Sequence, residues 1–457
     1  MTLPPISVPA ADILIVGLGP GDPGQVPLAV WQALHSGRRV ILRTGRHPVA
    51  ELLQSEPLRL QSCDDLYEAH QEFAQVYGAI VERVVAAAAQ EAVVYAVPGD
   101  PWVGEATTPR LLHQAQEQGL AAQVLHAASF LEPAFAAVQV DPMDGGQVVD
   151  AMLLARQHHP QLDVGLPTLV GQLHARWLAS DVKLTLLNAY PPDHPVTLVQ
   201  GAGTAGGRTA LFPLHALDRR DDFDHMTSLY VPPLDFGSSF SHLQEIVAHL
   251  RAPEGCPWDR EQTLRSLRGA VLDEACEVLE AIDEEDDAHT VEELGDLLLI
   301  IVMLAQIATD EGRFQMHHIL RNAVHKLIRR HPHVFGDAEI RTLDELYANW
   351  DAIKAQERAE KGQKHSPLDG IPAALPALEK ARKLQAKAEK AGLLSPGDIH
   401  PDPGLEAWLP EGSSQEELGR LLWRLVALAR RRGLDPETAL REHVARMRQA
   451  LAHSGST

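Results

Sequence analysis

Residues 255–331 decide the fold of the second half of the chain, and they read GCPWDREQTLRSLRGAVLDEACEVLEAIDEEDDAHTVEELGDLLLIIVMLAQIATDEGRFQMHHILRNAVHKLIRRH. Glu274 and Glu277 stand three apart on one predicted helix, and Glu293 and Asp296 stand three apart on the next. Residues at positions i and i+3 share a helix face. The sequence therefore predicts two helix faces that each carry a pair of carboxylates.

These four carboxylates predict a metal site. Four such groups around one point repel each other unless a divalent cation neutralises them, and ligand sets made only of oxygen suit Mg²⁺ or Mn²⁺. Glu293 and Asp296 adjoin the apolar run LLLIIVMLA at 297–305, so they are expected at the rim of a buried face, where an unpaired charge is costly. The run DEEDD at 283–287 is instead predicted to be a solvated turn between the two helices.

Composition limits the classes of protein to consider. A chain of 457 residues is too long for one ordinary core, which predicts two or three domains. Its three cysteines lack metal-ligand spacing and favour a reducing cytoplasm over a disulfide framework or a zinc site. Neither a secretory signal nor an apolar run of membrane-spanning length is expected. The formal charge of −22 disfavours duplex nucleic acid as a partner.

The chain changes character twice along its length. The first 235 residues alternate β-rich and helical segments, which predicts an α/β layered domain. YVPPLDFGSS at 230–239 is typical of an interdomain linker, and helical spacing follows it. The predicted domains are 1–235, 236–365 and 366–457. The segments predicted as strands are ILIVGLG, RRVILRT, AVVYAVPG, AAQVLHA and VKLTLLNA, and those predicted as helices are QVPLAVWQALHSG and TTPRLLHQAQEQG.

A glycine-rich turn follows the first predicted strand. Residues 19–24 fit the pattern G-x-G-x-x-G, which can indicate a dinucleotide site. Pro20 and Pro23 restrict this loop, however, and Arg43 and Thr44 stand at the end of the next strand, where such sites carry an acidic residue. Taken alone, the motif indicates a tight turn between a strand and a helix.

The segment from Gly255 to Gly336 resembles the MazG family of nucleoside triphosphate pyrophosphohydrolases, in the all-α superfamily that includes dimeric dUTPases. Three motifs carry the resemblance together: GCPWDREQT, the ExxE…ExxD pattern with 15 residues between Glu277 and Glu293, and KLIRRHPHVF. The resemblance implies Mg²⁺ ligands, catalytic carboxylates, triphosphate contacts and a residue that helps to close the pocket. The Mg²⁺ ligands would be Glu274, Glu277, Glu293 and Asp296, and the catalytic carboxylates would be Glu277 and Glu274. The triphosphate would be contacted by Lys326, Arg329 and Arg330, and Trp258 would help to close the pocket.

The resemblance also implies a reaction and an assembly. Water would attack the α-phosphorus of a nucleoside triphosphate and release pyrophosphate and a nucleoside monophosphate. The expected role is the clearance of aberrant or surplus nucleotides. Family active sites are commonly built from helices packed across subunits, so a homodimer or a higher homo-oligomer is expected.

The N-terminal half is similar to the tetrapyrrole methylase fold, whose loops hold S-adenosylmethionine. GLGPGDP at 17–23, AVPGDPWVGE at 96–105 and SFLEPAFAAVQVDPMDG at 129–145 carry this similarity. It extends to fusions in which such a domain precedes MazG. The residues expected to border the cofactor pocket are Gly19, Pro20, Gly21, Asp22, Pro98, Gly99 and Asp100. Val26 and Pro27 replace the usual Leu-Thr pair of methylating members, so the sequence predicts a pocket without support for methyl transfer.

The predicted architecture is an N-terminal α/β tetrapyrrole methylase-like domain, an all-α MazG-type domain and a degenerate MazG-like helical tail. In the tail, EELGR echoes EELGD, and Arg420 replaces the acid at the position of Asp296. A cation there would repel Mg²⁺, so the tail is expected to pack or dimerise. Two other functions stay open at this point. One is an S-adenosylmethionine-dependent tetrapyrrole-type methyltransferase with a helical oligomerisation module, and the other is a non-catalytic nucleotide sensor.

Overall fold

The computed structural model describes residues 8–70, 72–360, 368–393, 408 and 412–454. The chain forms two compact units, Met1–Met316 and His317–Thr457. This division falls within the range 236–365 predicted as one helical domain, and the predicted boundary after residue 365 lies outside the described residues. The three domain ranges therefore stay predictions. No helix in the described ranges is long and apolar enough to cross a membrane.

A five-stranded parallel sheet begins the first unit, with the strand order β3-β2-β4-β1-β5. Its central strands are continuous apolar runs because helices cover both faces of the sheet. The strands are β1 (Ile13–Gly17), β2 (Arg39–Leu42), β3 (Leu60–Ser62), β4 (Val93–Val97) and β5 (Ala122–Leu125). The helices are α1 (Leu28–Leu34), α2 (Pro48–Gln54), α3 (Asp64–Ala69), α4 (Phe73–Ala88) and α5 (Thr107–Glu117).

The loops after β1 and β4 meet at the carboxyl edge of this sheet. The Gly19 amide donates to the Gly99 carbonyl at 3.2 Å, and the Gly99 amide donates to the Gly19 carbonyl at 2.9 Å. A Cβ added to Gly17 would lie 2.4 Å from the Gly99 carbonyl oxygen. The close approach of the two loops therefore requires glycine at position 17.

A second five-stranded sheet has the order β6-β7-β10-β8-β9, in which β6 and β7 are parallel and the remaining neighbours are antiparallel. Its strands are β6 (Gln147–Asp150), β7 (Thr168–Gly171), β8 (Pro195–Gln200), β9 (Arg208–Pro213) and β10 (Thr227–Val231). Three helices accompany it: α6 (Leu131–Ala137), α7 (Ala151–Leu154) and α8 (Arg176–Leu186).

The prediction of a strand at VKLTLLNA, residues 182–189, is wrong, because most of this segment belongs to α8. Over the whole helix the buried residues are Leu178, Ala179, Val182, Thr185 and Leu186. Their spacing of three and four residues is that of a helix face, and it is visible only when the window includes the residues before Val182.

The linker prediction for 230–239 is wrong at its start, because Tyr230 and Val231 belong to strand β10 of the second sheet. The Leu234 amide donates to the Val164 carbonyl at 2.8 Å. Ser239 then caps the next helix by accepting from the His242 amide. Hydrogen bonds from Ser241 and Ser239 lower the pKa of the Asp163 carboxyl, against the opposing effect of its partial burial. The start of the helical region is thus held by the α/β part of the same unit.

Four helices complete the first unit: α9 (Phe240–Arg251), α10 (Pro257–Glu261), α11 (Arg268–Asp283) and α12 (Asp287–Asp310). Helices α11 and α12 pack against each other as a hairpin. The turn between them is exposed, as predicted for DEEDD. Asp286 caps α12 by accepting from the amides of Ala288 and His289, and Glu285 adopts a left-handed φ of 55°. The turn sets which faces of the two helices oppose each other.

The second unit is entirely helical in the residues that are described. Its helices are α13 (Met316–Arg330, which starts one residue before the unit), α14 (Pro332–Phe335), α15 (Leu343–Glu360), α16 (Ala377–Lys390), α17 (Gln415–Arg431) and α18 (Pro436–Ser454). Helices α16 and α18 pack around Leu368, Ile371, Leu384 and Val444. The predicted fold class, an α/β domain followed by a helical region and a helical tail, is confirmed.

Candidate functional site

The helical hairpin brings three of the four predicted carboxylates together. Glu274 and Glu277 on α11 and Glu293 on α12 each place one oxygen within 4.8 Å of the others. Within the described ranges no other group of acidic, histidine or cysteine side chains meets that spacing. Asp296 lies outside this group of three, one helical turn beyond Glu293, and its charge acts on Glu274.

The cluster has the electrostatics of a cation site. Partial burial raises the pKa of Glu274, and the negative charges of Glu277, Asp296 and Glu293 raise it further. The Glu293 side chain is only 12% exposed. Hard oxygen donors, held close enough to repel each other, fit Mg²⁺ or Mn²⁺. The donor chemistry of these residues therefore fits the metal that the sequence predicts.

Sequence reasoning missed His289 beside this cluster. Its Nε2 lies 3.1 Å from Glu293 Oε1, and its Nδ1 lies 3.4 Å from Glu284 Oε2. Partial burial acts to lower the pKa of His289, but the hydrogen bonds and charges of these two carboxylates raise it overall. The signal was present in the sequence, since His289 precedes Glu293 by four residues on one helix face.

The predicted substrate-binding residues occupy separate elements. Lys326, Arg329 and Arg330 lie on α13, whose basic end belongs to the second unit. Lys326 is exposed. Trp258 lies on α10 in the first unit and is 64% exposed, and its carbonyl accepts from Gln262 Nε2 at 3.1 Å.

The two arginines share a partner that sequence reasoning also missed. Glu357 on α15 accepts from Arg330 Nη2 at 2.6 Å and from Arg330 Nε at 3.2 Å. Its Oε1 also lies 2.6 Å from Arg329 Nη2. No local spacing links Glu357 to Arg330, 27 positions earlier, or to Arg329 before it, so only the packing of α15 on α13 reveals the contact.

The backbones of the glycine-rich loops after β1 and β4 pack closely, as expected for loops that border a ligand pocket. Gly19, Pro20 and Gly21 are buried, and Pro98 and Gly99 are partly buried. A Cβ added to Gly99 would lie 3.9 Å from the Ser129 Cα, so the loop after β5 adjoins the other two. Three loops at the carboxyl edge of a parallel sheet are a common position for a ligand, so this backbone fits a cofactor such as S-adenosylmethionine.

The two aspartates at this edge have local roles in the loops. Asp22 is exposed and accepts from the Gly24 amide at 2.8 Å. Asp100 is buried, and its carboxylate accepts from the amides of Trp102 and Ala127 at 2.8 and 3.2 Å and contacts His126 Nδ1 at 2.9 Å. Asp100 therefore ties the loop after β4 to the loop after β5.

Arg43 directly follows β2 and forms an ion pair. Its guanidinium pairs with the buried carboxylate of Glu105 and donates from Nε to the Tyr67 hydroxyl at 3.0 Å. Glu105 in turn accepts from the Thr107 amide at 2.8 Å. This buried ion pair is a feature of the present chain that its sequence pattern did not indicate.

Two family models match the chain. Residues 262–335 match the MazG nucleotide pyrophosphohydrolase domain, and residues 12–218 match the tetrapyrrole (corrin/porphyrin) methylases. The first match contains the carboxylate cluster and the basic end of α13, and the second contains both sheets apart from β10. The molecule thus combines a methylase-type α/β domain with a hydrolase domain.

Two relatives match different extents of the chain. YabN of Bacillus subtilis (strain 168) is 40% identical over 381 residues, which cover 82% of this chain and 77% of YabN. The nucleoside triphosphate pyrophosphohydrolase/pyrophosphatase MazG of Thermotoga maritima is 41% identical over 215 residues, which cover 45% of this chain and 81% of that protein. The chain belongs to the family in which a tetrapyrrole methylase domain precedes a MazG domain, and it is an enzyme of the hydrolase class.

Among solved structures, a uroporphyrin-III C-methyltransferase from Thermus thermophilus matches with a TM-score of 0.39 and 20% identity. The match covers 48% of this chain and 94% of that one. The fold of the N-terminal domain rests on the family model and on the sheet topology described above.

Repulsion among the carboxylates of the cluster predicts that the protein becomes more stable when one of them is replaced by a neutral side chain, and that this gain depends on pH. Since the pKa of Glu274 is raised in the folded protein, its contribution to stability is greatest at low pH and is lost as the pH rises through its folded pKa. In metal-free buffer near about pH 8, Glu277→Gln should therefore raise the free energy of unfolding by about 0.2–0.5 kcal/mol, the scale of like-charge helix pairs. The gain should shrink as the pH falls and Glu274 becomes protonated.

Urea denaturation with a chelator present measures this difference. Glu285→Gln, in the exposed turn, is the matched control and should leave the stability unchanged at every pH. A Glu277→Gln variant less stable than the wild type at alkaline pH would contradict the repulsion that we assign to the cluster.

Proposed function

We propose that this protein hydrolyses nucleoside triphosphates to nucleoside monophosphates and pyrophosphate with Mg²⁺ as the required ion. The observation that carries the proposal is the convergence of Glu274, Glu277 and Glu293 on one point. Membership of the MazG family and the names of its relatives support the reaction class. The family membership and these names favour a hydrolase over a non-catalytic nucleotide sensor. The proposed role is the removal of aberrant or surplus nucleotides in the cytoplasm, a reducing compartment that suits three free cysteines.

The proposed mechanism gives each carboxylate a task. Glu274, Glu277, Glu293 and Asp296 would hold Mg²⁺ (or Mn²⁺), which when bound would neutralise charge on the phosphate oxygens. Glu277 is the exposed member of the converging group and is assigned as the base that orients the attacking water and accepts its proton. Glu274 supports it, since a raised pKa suits a carboxyl that exchanges protons. The new bond joins the water oxygen to the α-phosphorus, and the bond to the bridging oxygen breaks as pyrophosphate leaves.

The remaining predicted residues would bind the nucleotide. Lys326, Arg329 and Arg330 provide cations of the kind that pair with phosphate oxygens. Trp258 offers an exposed aromatic face, which supports a part in closing the pocket. These assignments follow the positions that the family motif gives to each residue.

Loss of a single carboxylate should abolish turnover. We expect Glu277→Gln and Asp296→Asn to reduce pyrophosphate release by about 100-fold or more, because metal-based charge stabilisation contributes several kcal/mol to the transition state. The measurement is pyrophosphate release from a panel of nucleoside triphosphates with and without Mg²⁺. Glu285→Gln should match the wild type, and circular dichroism should show all variants folded. Release by either variant at the wild-type rate would rule out the assigned site.

A second candidate activity is the binding of S-adenosylmethionine by the N-terminal domain. The contact of the loops after β1 and β4 and the match to the methylase model support it. Gly19, Pro20, Gly21, Asp22, Pro98, Gly99 and Asp100 would border this ligand. The pocket is proposed without methyl transfer, since Val26 and Pro27 replace the Leu-Thr pair that is usual in methylating members.

Isothermal titration with S-adenosylmethionine tests this pocket. Gly17→Ala should weaken binding by about tenfold or more, because the added Cβ would force the two loops apart. Gly78→Ala is the matched control, since a Cβ there meets nothing within 4 Å, and it should bind as the wild type does. The absence of binding heat from the wild type at millimolar ligand would rule out the proposed cofactor.

Apolar side chains on the hairpin support the proposed homo-oligomer. Leu272, Leu279 and Ile282 on α11 and Val291 and Leu294 on α12 are exposed. Exposed large apolar side chains on the helices of a functional site favour a protein interface there. A second copy of the chain is the proposed partner. Light scattering should then give at least twice the mass of one chain, and a monomer at micromolar concentration would contradict it.

A further inference from the structure

We propose that Glu357 is a positioning residue that holds Arg329 and Arg330 in the geometry that binds the triphosphate. This inference rests on the proposed function, which gives the two arginines their phosphate-binding role. None of the family motifs quoted above includes Glu357, which lies on α15, 27 residues after Arg330.

The contacts show a clamp centred on one carboxylate. Glu357 Oε2 accepts from Arg330 Nη2 at 2.6 Å, while its Oε1 accepts from Arg330 Nε at 3.2 Å. Oε1 also lies 2.6 Å from Arg329 Nη2. The two-point contact with Arg330 uses one edge of the guanidinium and leaves its Nη1 edge outside the clamp. Such a fork fixes the plane of the guanidinium as well as its position.

A second bond from the same helix holds the backbone at this point. Trp350 Nε1 donates to the Arg330 carbonyl at 2.9 Å. The Trp350 ring also meets the His331 ring, with centroids 5.6 Å apart. Helix α15 therefore fixes both the main chain and the side chain of Arg330, and flexibility is removed from the basic end of α13 before any ligand arrives.

Burial distinguishes a positioning role from a competing one. If Glu357 competed with the ligand, it would pair with the arginines in the free protein and release them when phosphate binds. The Glu357 side chain is only 10% exposed, however, whereas that of Arg329 is 51% exposed. Release of both arginines would leave a buried carboxylate unpaired, which is costly. The clamp is therefore expected to persist when phosphate binds, with the Nη1 edge of Arg330 taking the ligand.

The protonation state of the clamp agrees with a permanent contact. Hydrogen bonds from Arg330 and Arg329 hold the pKa of Glu357 at about 2, against the opposing effect of burial. The carboxylate is thus charged throughout the range in which the enzyme would work, and the clamp does not open by titration near neutral pH.

The experiment compares Glu357→Gln and Glu357→Asp with the wild type in the full-length protein. Glu357→Gln keeps the size of the side chain but loses the charge, so the arginines must be ordered by the ligand itself. KM for the nucleoside triphosphate should rise by about tenfold, with kcat within about twofold, because the ordering of long side chains weakens binding. Glu357→Asp should recover part of the affinity. Asp344→Asn, at an exposed position on the same helix, is the matched control and should change neither constant.

Binding of inorganic tripolyphosphate without metal, followed by isothermal titration, separates this inference from the proposed function. A wild type that binds tripolyphosphate about ten times more tightly than Glu357→Gln supports the clamp even if no nucleotide is hydrolysed. Equal or tighter binding by Glu357→Gln overturns it, as does a wild type that binds no tripolyphosphate. A lower kcat at unchanged KM also overturns it, since that result reports a merely structural role.

Discussion

Repulsion among carboxylates governs the helical hairpin of this molecule. Helices α11 and α12 hold three acidic side chains close together, and partial burial together with the neighbouring negative charges raises the pKa of Glu274. Like charges at this spacing repel each other, so the packing of the hairpin must hold them together. The hairpin is held by the capped turn at Asp286 and by the buried residues between Val302 and Ala308 in the second half of α12. Local instability of this kind is common at functional sites.

Two glutamates in the helical region show how environment assigns a role. Glu274 has acidic neighbours, and its pKa is raised. Glu357 has arginine neighbours, and its pKa is lowered to about 2. A glutamate side chain is therefore suited to cation binding and proton exchange at position 274, and to a fixed ion pair at position 357. In the function that we propose, the first glutamate serves the metal and the second serves the groups that bind phosphate.

Much of the candidate site could be predicted because its signals are local. The i and i+3 spacing identifies Glu274 with Glu277, and the solvated turn between the helices follows from five consecutive acids. The glycine loops were found in the same way. What the sequence did not reveal depends on contacts across long separations: Glu357 with Arg330, and Arg43 with Glu105. Helix α8 was misassigned for a different reason, since a short apolar run fits both a strand and one side of a helix.

Anomalous diffraction from crystals of the full chain grown with Mn²⁺ is the sharpest test of the metal site, because it locates the ion without relying on activity. We expect a peak between Glu274, Glu277 and Glu293, about 2.0–2.2 Å from their oxygens, the range of octahedral divalent ions. An ion that binds elsewhere while these three carboxylates stay without one would contradict the proposed site.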